Sequence, residues 1–362
     1  MPGTFVHLGV QLGGAGLAAR GRLGRDAACW TVLGCLVPDL PWIAQRALRP
    51  LLLGRVDGEL FYSLRLHAVV QSSLLFSLVL ATALALLWAR PGRAWQWIAV
   101  GCLGHLLLDA LQIKWANGVV LAAPISWRTL RFDLFWPESP WSLLPTLFGV
   151  AVWLYWMIRL WRRGGPGLEL ARGAARRRRL GVGLVLLVVW SLGPLAFLGA
   201  AQRDGVHYVE VLRQTERRPG RTVEIARAAY GVDAEGPWVR TMTEEVLRVP
   251  GLERWPGLLD PGVAARSRLS LRGRFVDAAT LEPLAARRHP VGVRAGWSLA
   301  GVLAASSLLV LAVLRSPSVR LPPRQALAST DQRNARRPGA VGDGGRPTTA
   351  SARGGAAEEK RI

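Results

Sequence analysis

Long stretches of apolar residues with almost no charge constrain this chain more than any other feature. Five of them are long enough to cross the hydrocarbon core of a bilayer, which is about 30 Å thick and needs about 20 helical residues. Two weaker stretches also predict membrane-embedded helices. The chain is therefore predicted to be an all-α, multi-pass membrane bundle of six or seven helices. The five stronger stretches are Leu66–Trp88, Trp97–Ile113, Leu143–Trp161, Leu180–Ala201 and Gly296–Leu314, and the weaker ones are Thr4–Ala19 and Ala27–Ala44.

The positive charge of the chain is concentrated between and after these stretches. The formal net charge is +22, and lysine occurs only at positions 114 and 360, so nearly all basic residues are arginine. Loops rich in basic residues stay on the cytoplasmic side of a membrane. This rule places the N-terminus outside the cell membrane and the C-terminal tail inside, in an inner (plasma) membrane protein. The run Arg176–Arg179 directly precedes a span, so it predicts an anchor to anionic lipid and no nucleic-acid partner.

The pattern divides the chain into five segments. Residues 1–142 are predicted to be a membrane-embedded domain of four helices, followed by two further transmembrane helices in 143–201. Residues 202–295 form a small β-rich domain, expected outside the cytoplasm, because Leu269, Leu271 and Phe275 alternate with polar residues as in a half-buried strand. Residues 296–314 are the last span, and 315–362 are predicted to be a disordered, basic cytoplasmic tail. The three cysteines are expected to be packing residues.

One span carries a pair of ionisable residues in its interior. His105 and Asp109 are four residues apart, so a helix places both on one face. Imidazole and carboxylate together suit zinc or another first-row divalent metal. A buried hydrogen bond between the two that joins neighbouring helices explains the pair equally well.

Three further ionisable residues lie in or at the ends of other apolar stretches: His7, Asp39 and His67. Such groups are costly inside a membrane and usually have a partner or a task. With the orientation above, all five residues fall in the outer half of the bundle. We therefore predict one metal site built from four helices, although each of the three alone could be a helix-end residue facing water.

The order of these residues resembles the YdjM-like family of LexA-regulated, membrane-bound metal-dependent hydrolases. The matching features are His7, Pro38-Asp39-Leu40, His67 and His105-Leu-Leu-Leu-Asp109, with Gly118 and Pro124 further on. They cover residues 4–140. The sequence departs from the family pattern in three ways: Pro41 replaces a second carboxylate, Leu66 and Ala68 replace the hydroxyl residues on either side of His67, and a His-Arg pair usual just before this segment is missing.

The resemblance implies a metal-dependent hydrolase, with a divalent ion that is expected to be zinc. His7, Asp39, His67, His105 and Asp109 would bind the metal, and Asp39 or Asp109 would act as catalytic base or bridge a second metal. A site in the outer half of the bilayer predicts a lipid-borne substrate. A similarity to zinc-dependent phospholipases C suggests a phosphoester.

Two other functions remain open at this stage. In the first, the histidines and aspartates only join helices, and the outer β domain binds a partner. In the second, the chain transports protons or metal ions, which would require polar residues in the inner halves of the helices, where few are found. Glu138 is expected in the outer loop, either near the site or, as a solvated loop residue, away from it.

Overall fold

The computed structural model describes residues 4–18, 24–52, 58–116, 118–162, 169–204, 211–241 and 243–314. Short 3-10 turns connect several of the helices. The predicted tail 315–362 lies outside the described residues. The α-helices are α1 (Thr4–Ala18), α2 (Arg25–Leu36), α3 (Leu40–Leu52), α4 (Gly58–Gln71), α5 (Leu74–Ala85), α6 (Pro91–Ala110), α7 (Leu143–Arg162), α8 (Gly173–Leu192), α9 (Leu198–Asp204), α10 (Pro261–Ala265) and α11 (Val293–Leu314).

Four helical segments are long and apolar enough to cross a membrane, which confirms an integral membrane bundle at this coarser level. They are Arg25–Leu48, Pro140–Arg162, Gly173–Arg203 and Val293–Leu314. The third is 31 residues long and has almost no buried side chains, so its leucines and valines face outwards. A surface of this kind is expected to contact lipid.

The predicted span Leu66–Trp88 is not one straight helix, because the chain bends by 69° between α4 and α5. Ser73 has extended backbone angles and is the residue before the first turn of α5. The hydroxyl of Ser72 donates to the carbonyl of Ala68, 2.7 Å away. A serine hydroxyl that bonds back to the carbonyl four residues earlier tends to bend a helix, and Ser72 makes such a bond at the end of α4. If the bent pair is one span, the total is five.

Glycines allow the helices of the bundle to approach closely. Helix α1 packs on α7, where a Cβ at Gly9 would lie 2.3 Å from the Cα of Gly149. Helix α2 packs on α6, where a Cβ at Gly34 would lie 2.1 Å from the carbonyl oxygen of Ile98. Small residues at such crossings are typical of membrane helix pairs, which lack a hydrophobic driving force and rely on close packing. Helix α1 also packs on α2 and on α6, so these three helices meet.

The predicted β-rich segment contains a separate five-stranded antiparallel sheet with the order β3-β2-β1-β4-β5. Its central strands pair with Ile225 opposite Leu271, and Leu269, Leu271 and Phe275 are buried as their alternation predicted. The fully buried Arg218 stacks on Phe275, with 5.1 Å between its guanidinium carbon and the ring centre. The strands are β1 (Thr222–Asp233), β2 (Gly236–Arg240), β3 (Val246–Arg248), β4 (Ser267–Phe275) and β5 (Leu281–Pro290).

Candidate metal centre

Four of the five predicted ligands meet where α1, α2 and α6 pack together. His7 lies on α1, and His105 and Asp109 lie one turn apart on α6. Asp39 lies in the 3-10 turn Val37–Asp39 between α2 and α3, directly after Pro38. Proline fixes its own backbone angle and lacks an N–H, so it is tolerated at the start of such a turn. His7, Asp39 and His105 are almost completely buried.

The four side chains lie close together without forming short hydrogen bonds to one another. His7 Nε2 lies 3.4 Å from Asp109 Oδ1, and His105 Nε2 lies 3.5 Å from Asp39 Oδ1. His105 Nε2 is also 3.7 Å from Asp109 Oδ2. The two imidazole rings stack, with 4.1 Å between their centres and 12° between their planes. An N–H···O hydrogen bond is normally 2.7–3.2 Å long, so these separations are too wide for good hydrogen bonds.

The distances between these side chains and their missing hydrogen bonds both fit a bound cation. Ligand atoms at about 2.1 Å from one tetrahedral zinc ion lie about 3.4 Å from each other, close to the separations found here. In the described part of the chain, His7 Nδ1, His105 Nδ1 and Asp39 Oδ2 are buried and have no hydrogen-bond partner. Buried polar atoms are rarely left unsatisfied, so each of these atoms calls for an explanation. The residues present therefore fit a divalent metal.

Cys35 joins the cluster, although the sequence indicated a packing residue. Its sulfur and one ring nitrogen each from His7 and His105 lie within 4.8 Å of one another. Ligand atoms of Asp39, His105 and Asp109 form a second group with the same spacing. The two groups share His105. Nitrogen, sulfur and carboxylate oxygen are the usual ligands of zinc.

Lys114 also lies against the cluster. Its ammonium nitrogen is 2.7 Å from Asp109 Oδ2. The side-chain amide of Gln112 donates to Asp109 Oδ1 over 3.1 Å. Asp109 therefore already has a positive partner on one side and an amide donor on the other. These contacts orient the carboxylate towards the histidines.

The structure does not bring His67 into either group of candidate ligands. Its Nε2 lies 2.9 Å from the backbone carbonyl oxygen of Ser191, at the end of α8. The neighbouring Gln71 donates to the carbonyl of Trp190 over 3.1 Å. Both side chains bond to carbonyls of the last turn of α8, where the helix has no further amides to pair with them. In this arrangement His67 joins α4 to α8.

A cavity of about 530 Å³ lies between this cluster and the sheet domain. Asp39, His105 and Asp109 line it from the bundle side, together with Lys114. Strands β1, β2 and β4 line it from the opposite side. The volume falls in the range of small-molecule binding sites, and such sites often lie between domains. Asp39, His105 and Asp109 thus face a space large enough for a small molecule.

The expectation that Glu138 is solvated is wrong, because its carboxylate is 9% exposed and joins the bundle to the sheet. It accepts a hydrogen bond from the guanidinium of Arg227 and lies 3.2 Å from His289 Nδ1. Arg227 stands at a bulge in β1 and has a positive φ of 51°. Bulges redirect side chains, and this one directs Arg227 towards Glu138. His289 Nε2 lies 2.9 Å from the hydroxyl of Ser270.

The hydrogen bonds of this junction define its protonation. An ionised carboxylate can only accept, so Nδ1 of His289 carries the proton and Nε2 accepts from Ser270. Burial raises the pKa of Glu138, but the hydrogen bond from His289 and the charge of Arg227 outweigh it and hold that pKa below its usual value. Burial lowers the pKa of His289 and outweighs the opposite effect of Glu138. The junction therefore consists of a charged carboxylate and a neutral imidazole.

A second buried carboxylate, Glu224 on β1, joins the sheet to the loop after α6. It accepts from the backbone N–H of Ala116 over 2.8 Å and from Arg131 over 2.9 Å. Arg272 donates to its other oxygen over 2.6 Å. Burial raises the pKa of Glu224, but these three donors outweigh it and lower that pKa. Two separate carboxylates thus hold the sheet domain over the cavity.

Sequence reasoning missed Lys114, Cys35, His289 and the arginines of the cavity. One signal for Lys114 was present, because it is one of two lysines in a chain otherwise rich in arginine. A second signal was its place five residues after Asp109. His289 had no local signal, since its partner Glu138 lies 151 residues away. Only the folded chain brings these two together.

Apolar helices around a buried polar cluster define an integral membrane protein that crosses the inner membrane several times. The model of the YdjM inner membrane protein family matches residues 1–202. Because this is more than half of the 362 residues, the chain belongs to that family. Neither the curated proteins nor the solved structures contain a match to the chain.

Proposed function

We propose that the protein is a membrane-bound metal-dependent hydrolase with His7, Asp39, His105 and Asp109 as its metal ligands. The observation that carries this proposal is the convergence of four side chains whose facing nitrogen and oxygen atoms lie 3.4–3.7 Å apart. Both ring nitrogens of His7, Nδ1 of His105 and Oδ2 of Asp39 are also buried without hydrogen-bond partners among the described residues, which is costly in an apolar bundle. A divalent cation, with zinc as the first choice, would bind between these four side chains.

The chemistry follows from the ligands that face the cavity. A bound divalent ion would bring the pKa of a water ligand down towards about 7 and provide hydroxide at neutral pH. Asp39 Oδ2 is free to accept the proton of that water, because it has no hydrogen-bond partner among the residues that the structure describes. Lys114 and Gln112 orient Asp109. The substrate would be a lipid-borne molecule, and a phosphoester is the first candidate.

The proposal adds further membrane helices to the four spans. We infer that α1 and α6 also enter the membrane, so that six or seven helices form the bundle. The sheet domain would lie on the extracytoplasmic side, and the N-terminus would lie there too, as the arginine-rich loops indicate. The cavity would then open at the outer face of the bilayer.

Lys114 favours one competing function. An ammonium group 2.7 Å from Asp109 already balances one carboxylate of the cluster. In that case His7, His105 and the two aspartates would serve only to hold α1, α2 and α6 together. The chain would then be a non-enzymatic membrane protein whose sheet domain binds a partner.

Metal analysis of the purified full-length protein separates the two functions. We expect about one zinc or comparable divalent ion per chain, and its loss in His105→Ala and Asp109→Asn. The purely structural function predicts no bound metal, with a lower unfolding temperature in both variants. Equal metal content in the two variants and the parent protein would overturn the hydrolase proposal.

A matched control distinguishes the site from other buried polar residues. Gln71→Leu removes a buried side chain that joins α4 to α8 through Trp190, away from the cluster. This variant is expected to keep its metal. Hydrolysis of a phosphoester-bearing lipid by the parent protein, absent in His105→Ala but present in Gln71→Leu, would complete the test.

A further inference from the structure

We infer that the cavity is a binding site for a phosphate-bearing group, formed by arginines that the bundle and the sheet domain contribute together. The inference rests on the proposed function, because it names the substrate class of the same site. Six arginines, each from a different helix or strand, line this one cavity: Arg46, Arg65, Arg227, Arg240, Arg268 and Arg294.

Two arginines of the sheet are available for a ligand. Arg268 on β4 is exposed, and the contact found for its guanidinium is a hydrogen bond to the backbone carbonyl of Ser267. Arg240 on β2 stacks on Trp238 at 5.4 Å and lies 3.8 Å from Glu244, with both partners about half exposed. An exposed pair at this distance is weak and easily exchanged. Both guanidinium groups can therefore turn to an anion.

The bundle side contributes cations in a more sheltered position. Arg294, at the start of α11, has a buried Nε with no hydrogen-bond partner in the described ranges. Arg65 on α4 stacks over Trp42 at 5.3 Å. Arg46 lies on α3, one turn beyond Trp42. Cations that surround a partly enclosed space concentrate a positive potential inside it.

The carboxylates of the cavity wall do not cancel this charge. Glu224 already accepts from Arg131 and Arg272, neither of which lines the cavity. Asp39 and Asp109 also line the cavity, and Glu244 lies 3.8 Å from Arg240. Against these four carboxylates the wall has six arginines and Lys114, so the balance stays positive even without a bound metal. The wall therefore keeps an excess of positive charge for a ligand.

Phosphate is the anion that this arrangement fits best. Its three oxygens can each take a planar guanidinium fork, and arginine is the residue of choice for such bidentate contacts. The same wall has apolar side chains between the arginines, including Val69, Leu106 and Val119. A ligand that combines a phosphate with an apolar part would use both. The shared chemistry is the phosphate group, carried by a lipid or by a soluble ester.

The test compares three ligands on the full-length protein in detergent, first treated with a chelator to remove metal. The ligands are dioctanoyl phosphatidic acid, glycerol 3-phosphate and dioctanoylglycerol, and calorimetry gives each affinity. We expect both phosphate compounds to bind and the uncharged diacylglycerol not to bind. Tighter binding of the phosphatidic acid identifies a lipid as the source, and equal affinities identify a soluble ester.

The variant Arg240→Gln/Arg268→Gln should weaken binding of the phosphate compounds about 100-fold, at about tenfold for each lost charged hydrogen bond. Its matched control is Arg266→Gln/Arg274→Gln. This variant removes two exposed arginines, one just before β4 and one near its end, and neither lines the cavity. The control should bind like the parent protein. Both pairs lie on exposed positions, so both variants are expected to fold.

The outcomes separate this inference from the proposed hydrolase. Equal loss in the two double variants, or no phosphate binding by the parent protein, would overturn the phosphate site while leaving the metal analysis intact. Phosphate binding that depends on Arg240 and Arg268, in a protein that never takes up metal, would support the site and refute the hydrolase.

Discussion

Two buried clusters in the molecule are each built around carboxylate and imidazole, and their hydrogen bonds differ completely. At the junction of Glu138 and His289, both ring nitrogens and both carboxylate oxygens have partners. In the cluster of His7 and His105, both Nδ1 atoms lack partners within the described part of the chain. The first cluster satisfies its own polar atoms. The second leaves buried polar atoms that a ligand could satisfy.

The difference shows how burial alone can mislead. Both clusters consist of residues that are rare in apolar surroundings, and both would attract attention as reactive sites. Ser270, His289 and Glu138 even form a chain of hydrogen bonds, but Ser270 and His289 are buried and neither lines the cavity. Satisfied hydrogen bonds indicate a structural junction, and unsatisfied ones beside a cavity indicate a binding site.

Loss of the metal is the largest effect that we expect. His105 belongs to both groups of candidate ligands, so His105→Ala should lower the metal affinity by more than 100-fold. This loss exceeds the roughly 10- to 100-fold loss that is typical when a residue hydrogen-bonded to a metal ligand is removed. His67→Gln should leave metal content unchanged, because its imidazole bonds to Ser191 instead. Metal content after dialysis measures both. A loss of metal in His67→Gln would show that His67 is a ligand and that the arrangement described here is incomplete.

Removal of the charge at the junction should destabilise the protein without affecting the metal. In Glu138→Gln, Arg227 loses its carboxylate while it remains mostly buried, and we expect a loss of about 2–4 kcal/mol in unfolding free energy. The control is Glu235→Gln, which removes an exposed partner of Arg248 and should have no measurable effect. Denaturant unfolding followed by tryptophan fluorescence gives both values. Equal stability of the two variants would mean that the junction does not hold the sheet.

Lys114 should compete with the metal for Asp109. Lys114→Met removes an ammonium group 2.7 Å from the carboxylate, so the affinity for a divalent cation should rise about tenfold, which corresponds to about 1.4 kcal/mol. The charge-preserving Lys114→Arg is the control and should change the affinity less. A competitive titration against a chelating dye measures the change. Weaker metal binding in Lys114→Met would show that Lys114 supports the site instead of competing with it.

The pH dependence of stability should be the smallest effect. The pKa of Glu138 is lowered in the fold, so its stabilisation is present above its unfolded pKa and is lost as the pH falls. The pKa of His289 is also lowered, so below about 6.5 the unfolded chain takes up a proton that the folded chain does not. Both pKa shifts lower the free energy of unfolding as the pH falls. Glu138→Gln should show a flatter profile of unfolding temperature between pH 7 and pH 4, and an unchanged slope would contradict these two assignments.

The sequence predicted those features that are encoded within one segment. Apolar length indicated the membrane helices, and alternation indicated the strand of Leu269 and Leu271, because both depend only on neighbouring residues. The spacing of His105 and Asp109 indicated a shared helix face, and the order of motifs indicated the family. The bend at Ser72 and Ser73 was missed, because two serines within an apolar stretch are ordinary in membrane helices. The bond from Ser72 to the carbonyl of Ala68 is a local contact that hydropathy does not report.

Features that depend on distant segments could not be predicted in the same way. Glu138 and His289 are far apart in sequence, and so are Ala116 and Glu224, yet each pair forms a buried contact. The position of His67 was also decided by α8, which offers a carbonyl at Ser191. The order of motifs can predict which residues belong to a site, but the packing of the helices decides which of them come into contact.

The boundary of the family match has a consequence for related chains. The match ends at residue 202, after the candidate metal ligands and before the first strand of the sheet. Arg240, Arg268 and the two carboxylate-based junctions to the sheet therefore depend on residues beyond the shared portion. Chains that have the first portion but a different second half would keep the cluster of histidines and aspartates and change the side chains on the opposite wall of the cavity.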